Sequence, residues 1–66
     1  MGPGDLVRVV FKDSALVTRF PQYHEKVGII TKFAWRGHIP VWWVSLENGQ
    51  LQNFEELHLE VINGSR

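Results

Sequence analysis

Three histidines and one pair of adjacent glutamates are the side chains of this sequence best suited to chemistry. His24, His38 and His58 are widely spaced, and none has a second ligand at the spacing of a zinc motif. Glu55 and Glu56 fall where a helical turn is predicted, and the backbone dipole stabilises carboxylates at that end. The chain has no nucleophile–base motif and no glycine-rich phosphate loop. It therefore predicts a non-enzymatic protein that needs neither a metal nor a cofactor.

A second set of side chains has the chemistry of nucleic-acid recognition. Arg8, Lys32 and Arg36, together with Trp35, could pair with phosphates and stack on the bases of a single strand. The total charge argues against this use, because seven basic and seven acidic side chains cancel, whereas nucleic-acid binders usually carry a positive surplus. Nucleic acid is therefore the alternative partner.

Charge is unevenly distributed along the chain. Residues 1–36 carry six basic and three acidic side chains, and residues 37–66 carry one basic and four acidic ones. A dipolar surface of this kind suits a protein partner or a second copy of the chain. A protein partner is therefore the leading prediction.

The stretch VWWVSLENGQLQNF, residues 41–54, has the pattern of a β-hairpin. Asn48-Gly49 favours a two-residue type I′ turn, which sets Trp43 opposite Phe54. A bulge at Asn53 would instead turn Phe54 inward. The turn predicts an exposed cross-strand aromatic pair.

The two adjacent tryptophans must point to opposite faces of that strand. Trp42, Val44 and Leu46 form an apolar row, which predicts that they face the core and that Trp43 faces outward. The candidate partner-binding residues are Trp43, Trp35, Val41 and Phe54.

Both tryptophans in that set also have a structural interpretation. The long segment 12–25 could fold over Trp43 and bury it in a second small core. Trp35 could equally act as a hydrophobic lid on the mouth of a barrel.

The elements that must position these side chains are short and β-rich. Strands are predicted at 6–11, 26–33, 41–46, 51–54 and 58–62, with a connecting loop at 34–40 and one helical turn near 55–57. Gly28 inside the second strand predicts a bulge or a close backbone approach. We predict an all-β fold, a small five-stranded SH3-like barrel with a long first loop and a short helical turn before the last strand.

Size and composition bound the remaining possibilities. The 66 residues predict one domain, 1–66, with 44% apolar residues available for a core. Cysteine is absent, and no apolar run approaches the length of a membrane span. The beginning MGPGDLVRV lacks the pattern of a secretory signal. These features predict that the protein does not associate with a membrane. They predict a location either in the cytoplasm of a host cell or in a virion.

Four stretches of the sequence carry a resemblance to known proteins. GDLVRV, VGIITKF and VSLENGQLQNFEELHLEVI resemble small SH3-like barrels encoded by bacteriophages, which implies the fold and a phage origin. NFEELHLEV and TRFPQY are similar to stretches of photosynthetic electron-transport accessory barrels, namely photosystem I reaction-centre subunit IV and the O subunit of the cyanobacterial NDH-1 complex. That second resemblance implies a non-catalytic subunit that braces a large complex or helps a redox partner to dock.

Together these features predict a non-enzymatic protein–protein interaction module, phage-encoded, that acts as a virion component or modifies a host complex. It would bind through an exposed tryptophan face, and homo-oligomerisation through that face is a close variant. Nucleic-acid binding is the alternative, and an accessory subunit of a photosynthetic complex is the third hypothesis.

Overall fold

A computed structural model describes residues 1–62 as one antiparallel sheet of five strands with two short helical segments. The strands are β1 (Leu6–Val9), β2 (Val27–Arg36), β3 (Ile39–Leu46), β4 (Leu51–Glu55) and β5 (Leu59–Val61), and the helical segments are α1 (Ser14–Arg19) and a 3-10 turn (Glu56–His58). The strand order is β4-β3-β2-β1-β5. The predicted all-β class is confirmed, while the sheet is open, with β4 and β5 as its two edges.

The hydrophobic core lies on one face of the sheet, which we call the inner face. Its buried cluster consists of Val7, Val9, Phe11, Ile30, Trp42, Val44, Leu46, Phe54 and Leu59. Side chains of successive strand residues alternate between faces, so the apolar row on β3 delivers its three members to this cluster. The predicted core position of that row is confirmed.

The long first loop packs against this inner-face cluster. Asp13 begins α1 by accepting a hydrogen bond from the backbone N–H of Ala15 at 2.9 Å, as an N-cap residue does. Four partly buried side chains then pack onto the cluster, and these are Leu16, Val17, Phe20 and Tyr23. The loop therefore closes over the core and leaves Trp43, on the other face, uncovered by these side chains.

The second strand is longer than the sequence predicted. β2 continues to Arg36 and turns into β3 through Gly37 and His38, where only Gly37 has a positive φ, of 63°. A glycine at the first central position is typical of a type II′ turn, whose twist matches that of the flanking strands. The predicted 34–40 loop is therefore wrong, because Trp35 lies within a regular strand.

A β-bulge divides β2 in the middle. Its register against β3 shifts between Ile30 and Lys32, which leaves Thr31 as the extra residue. Ile30 faces the core before the bulge. Beyond it, Phe33 pairs with the core residue Trp42 and so shares its face. The bulge therefore changes which residues of β2 point to the inner face.

Gly28 lies where β2 and β3 approach each other closely. A Cβ atom at this position would lie 2.6 Å from the backbone carbonyl oxygen of Ser45 and 2.6 Å from Cγ1 of Val44. Side chains do not fit at such distances, so the close approach predicted from the sequence is confirmed.

The β3–β4 turn differs from the predicted one. The backbone N–H of Gly49 bonds to the carbonyl of Leu46 at 2.9 Å, and the N–H of Leu46 bonds to the carbonyl of Gln50 at 2.8 Å. Gly49 has a positive φ of 86°, whereas Asn48 does not. This is a three-residue loop with glycine in a bulge position, not a two-residue type I′ turn.

The longer turn shifts the register of β4 by one residue. Phe54 pairs with Trp42, and Asn53 pairs with Trp43. Because a shift of one residue exchanges the two faces of a strand, Phe54 enters the core and is only 7% exposed. The predicted exposed pair of Trp43 and Phe54 is therefore wrong.

Candidate interaction surface

Three aromatic side chains form a continuous row that leads from the core to the solvent. We call Trp42, Phe33 and Trp35 the aromatic strip. The Phe33 ring lies 4.7 Å from Trp42 and 5.2 Å from Trp35 between centroids, in edge-to-face geometry both times. Exposure rises along the row from 8% at Trp42 to 40% at Phe33 and 64% at Trp35. The strip therefore presents its outermost ring to solvent on a support fixed in the core.

The inner end of the strip is held by the 3-10 turn. The indole N–H of Trp42 donates a hydrogen bond to Oε1 of Glu56 at 3.3 Å. A largely buried indole needs such an acceptor, because an unpaired N–H away from water is costly. Glu56 thereby fixes the orientation of the ring on which Phe33 packs.

An apolar hollow adjoins the strip. Trp35 pairs with Pro40 across the hairpin, and Pro40 also lines this hollow of about 450 Å³. Its other lining residues are Met1, Ile39, Glu55, Glu56, Leu57 and Leu59. Met1, Ile39 and Leu57 are exposed as well. The strip and the hollow together form a larger apolar surface than isolated exposed side chains would.

Trp43 lies on the opposite face of the sheet, which we call the outer face. Its ring is half-buried, and Nζ of Lys32 lies 5.9 Å from the ring centroid, within the range of a cation–π contact. Thr31 donates a hydrogen bond from Oγ1 to the Trp43 carbonyl at 3.2 Å. Because Trp35 shares the face of Trp42, the predicted joint face of Trp43 and Trp35 is wrong.

Val41, another predicted contact residue, is buried on the outer face and only 3% exposed. Arg36 reaches from β2 across β3 to β4, where Nη1 lies 3.5 Å from Oε2 of Glu55 and Nη2 donates to Asn53. Val41 pairs with Ala34 and Glu55, so it lies beneath this crossing side chain. Its predicted exposure is wrong because a long neighbouring side chain covers it.

The three cations of the nucleic-acid hypothesis also lie away from Trp35. Arg8 pairs with Glu60 across β1 and β5, with Nη1 at 3.3 Å from Oε1, and Arg36 pairs with Glu55. Lys32 contacts the Trp43 ring on the outer face. Two of the three charges therefore face carboxylates, and the exposed tryptophan lies on the other side of the sheet.

Two of the three histidines, His24 and His58, contact Phe11, whereas His38 lies exposed in the β2–β3 turn. The backbone N–H of Phe11 donates to Nδ1 of His24 at 3.2 Å, and the His58 ring meets the Phe11 ring edge-on at 5.3 Å. Within residues 1–62, no group of three His, Cys, Asp or Glu side chains is arranged to hold a metal ion. The same residues include no helix with the length and apolarity required to cross a bilayer.

A second, smaller cleft of about 290 Å³ lies between α1 and β4. Tyr23 meets the Phe54 ring edge-on at 5.5 Å there, and its hydroxyl accepts a hydrogen bond from Nε2 of Gln50 at 3.2 Å. Phe11 and Phe20 complete its aromatic wall. These contacts hold the first loop on the core, and we assign the cleft to packing.

Phe33 and Pro40 belong to the surface but were not singled out from the sequence. A signal for them exists, because Gly37-His38 is a Gly-X pair of the kind that forms type II′ turns. Applied to residues 31–44, that turn extends both strands and places Phe33, Trp35, Pro40 and Trp42 on one face. Gly37 was therefore more informative about the position of this surface than the tryptophans were.

Comparison of the chain with protein-family models, with curated proteins and with solved structures finds no match. The resemblances to phage barrels and to photosynthetic accessory barrels therefore stay predictions.

Proposed function

We propose that this protein is a non-enzymatic interaction module that binds a partner protein through the aromatic strip and the adjoining hollow. The observation that carries the proposal is Trp35, 64% exposed at the end of a row that begins in the core. Tryptophan is enriched among the residues that dominate interface energetics, and exposed apolar patches are typical of interaction sites.

The energetics of covering Trp35 favour binding. A tryptophan side chain buries about 200 Å² when fully enclosed, so removing the exposed part of Trp35 from water contributes roughly 3 kcal/mol. Phe33 packs against the ring on one side and restricts its motion before binding. A ring that is already ordered loses less conformational entropy on association than a free one.

Other features support the wider hypothesis. A β-meander whose fifth strand returns to β1, with a 3-10 turn ahead of it, supports an SH3-like fold. The phage resemblance supports a role as a virion component or as a modifier of a complex in the host cytoplasm. A bacterial host extract is therefore the appropriate source of partners.

The test is a pull-down from nuclease-treated bacterial extract with the wild type and two matched variants. Trp35→Ala removes the outermost ring of the strip. Leu51→Ala removes an exposed apolar side chain at the far end of the β3–β4 hairpin and serves as the control. We expect a protein that the wild type and Leu51→Ala retain and that Trp35→Ala loses.

A third variant, Trp43→Ala, tests the face predicted from the sequence. Loss of the partner with Trp43→Ala but not with Trp35→Ala would contradict the proposal and favour the outer face. Retention of nucleic acid alone, with affinity that falls steeply as salt rises, would favour the nucleic-acid alternative.

A further inference from the structure

Half of β2 lacks a neighbouring strand on one side. β1 pairs with β2 only at residues 27–29, and the Gly4 N–H bonds to the Ile30 carbonyl at 2.8 Å where the N-terminal segment turns away. Along residues 31–36, which we call the distal half of β2, no described backbone group pairs on that side. This segment is an open edge next to the aromatic strip.

The hairpin geometry shows which backbone groups face this edge. Arg36 and Ile39 flank the two-residue turn, so they form a hydrogen-bonded pair, and hydrogen-bonded and non-bonded pairs alternate from there. Ala34 and Lys32 thus bond to β3. The N–H and C=O groups of Phe33 and Trp35 point toward the open edge.

The side chains along the edge differ between the two faces. Phe33 and Trp35 lie exposed on the inner face. Lys32 lies exposed on the outer face with its Nζ near the Trp43 ring, while Arg36 is already paired with Glu55. A strand added here would meet aromatic rings on one side and one available cation on the other.

We propose that the distal half of β2 accepts an extended segment of a partner protein as a sixth strand. This inference rests on the proposed function and specifies its binding mode. The segment would place apolar side chains against Phe33 and Trp35 and an acidic side chain opposite Lys32. Main-chain bonds would supply affinity, and the alternating side chains would supply specificity, as in other cases of strand addition.

A second copy of this chain offers no carboxylate opposite Lys32 in the antiparallel registers that set its Phe33 opposite Trp35 or opposite Phe33. In an antiparallel pair that sets Phe33 opposite Trp35, Lys32 of one copy would lie opposite Arg36 of the other, and like charges across strands are unfavourable. Setting Phe33 opposite Phe33 places each Lys32 opposite Ala34, with no carboxylate across the strand. An acidic, apolar partner segment satisfies both faces.

The test uses two short synthetic peptides as probes, one alternating valine with glutamate and one alternating valine with lysine. Each is titrated into the full chain and followed by amide chemical shifts. We expect the glutamate peptide to shift the amides of Phe33 and Trp35 and to bind more tightly than the lysine peptide. Equal binding of both peptides, or shifts confined to the β4 edge, would overturn the inference.

Backbone pairing is tested by chemical synthesis of the chain with one N-methylated amide. N-methylation at Trp35 removes the outward donor and keeps the indole. The control is N-methylation at Asn53 on the β4 edge. The N–H of Asn53 also points away from the sheet, because Asn53 and Trp43 form a non-hydrogen-bonded pair. We expect about a fivefold loss of affinity at Trp35, the effect of one neutral hydrogen bond, and none at Asn53.

A charge exchange tests the outer face. Lys32→Glu should reverse the preference between the two peptides, with about a threefold change for each, as expected for one cross-strand ion pair. An unchanged preference would overturn the predicted acidic side chain opposite Lys32.

The outcomes separate this inference from the proposed function. If N-methylation at Trp35 has no effect while Trp35→Ala abolishes binding, the strip binds without strand addition, so the inference fails and the proposed function stands. If Trp35→Ala also leaves binding unchanged, both fail. A dimeric free protein with protected amides at Phe33 and Trp35 would overturn the inference in favour of a second copy.

Discussion

The two halves of β2 belong to one strand but differ in their strand neighbours and in the exposure of their side chains. The first half, residues 27–30, has β1 on one side and β3 on the other, and it buries Gly28 and Ile30. The distal half pairs only with β3 and exposes Phe33 and Trp35. One half therefore contributes to stability, and the other leaves apolar surface and backbone groups available for recognition.

The bulge at Thr31 determines which residues of each half share the core face. Even-numbered residues of β2 face the core before it, and odd-numbered residues share the face of Trp42 after it. If Thr31 were paired as a regular strand residue, alternation would turn Lys32 to the inner face and Phe33 to the outer face. A single irregularity therefore lets one strand carry a core and an aromatic surface on the same side of the sheet.

The largest effect is expected in the first half of β2. Ile30→Ala should lower the free energy of unfolding by about 3 kcal/mol, because Ile30 is almost fully buried and its truncation leaves a cavity. Trp35→Ala in the distal half should change it by less than about 1 kcal/mol. Urea denaturation measures both, and equal losses would contradict the division of β2.

The next effect comes from the close approach of β2 to β3. Gly28→Ala should cost about 2 kcal/mol, since the new methyl group would meet a backbone carbonyl that cannot move aside easily. Gly2→Ala is the control, because an added Cβ there meets nothing within 4 Å. If thermal unfolding shows the two variants to be equally stable, the approach is looser than described.

A smaller effect is expected at the turn of the distal hairpin. Gly37→Ala should cost about 1 kcal/mol, because Gly37 has a φ of 63° that a side chain disfavours. His38→Ala is the matched control in the same turn, where φ is not positive. Guanidinium unfolding curves for both variants check the prediction, and a greater loss for His38→Ala would contradict it.

The smallest effect concerns the bulge residue itself. Thr31→Val should cost about 0.5 kcal/mol, since it removes the exposed hydrogen bond from Oγ1 to the Trp43 carbonyl and keeps the β-branched shape. Thr18→Val, at an exposed position of α1, is the comparison. Unchanged amide shifts around the bulge in both variants would indicate that the backbone, rather than the hydroxyl, maintains it.

The sequence was sufficient where local patterns had one solution. The apolar row on β3 and the helical turn before the last strand were predicted directly, and the close approach at Gly28 was one of the two structures predicted for that glycine. The row also placed Trp42 correctly in the core. These residues fix the fold class.

The site was harder to predict, because small irregularities decide which face a side chain occupies. Asn48-Gly49 fits a two-residue turn and a three-residue turn, and the choice moves Phe54 between solvent and core. Residues around Thr31 show no comparable signature of a bulge. The burial of Val41 depends on a long side chain from another strand. Each of these features is set by tertiary packing.

The most direct test of the open edge is amide hydrogen exchange of the free protein, resolved by residue. The N–H groups of Ala34 and Lys32 bond to β3 and should exchange slowly, whereas those of Phe33 and Trp35 should exchange at rates close to those of unprotected amides. That alternation would establish the distal half of β2 as an unpaired edge. Equal protection of all four amides would contradict it, because the edge would then already be occupied.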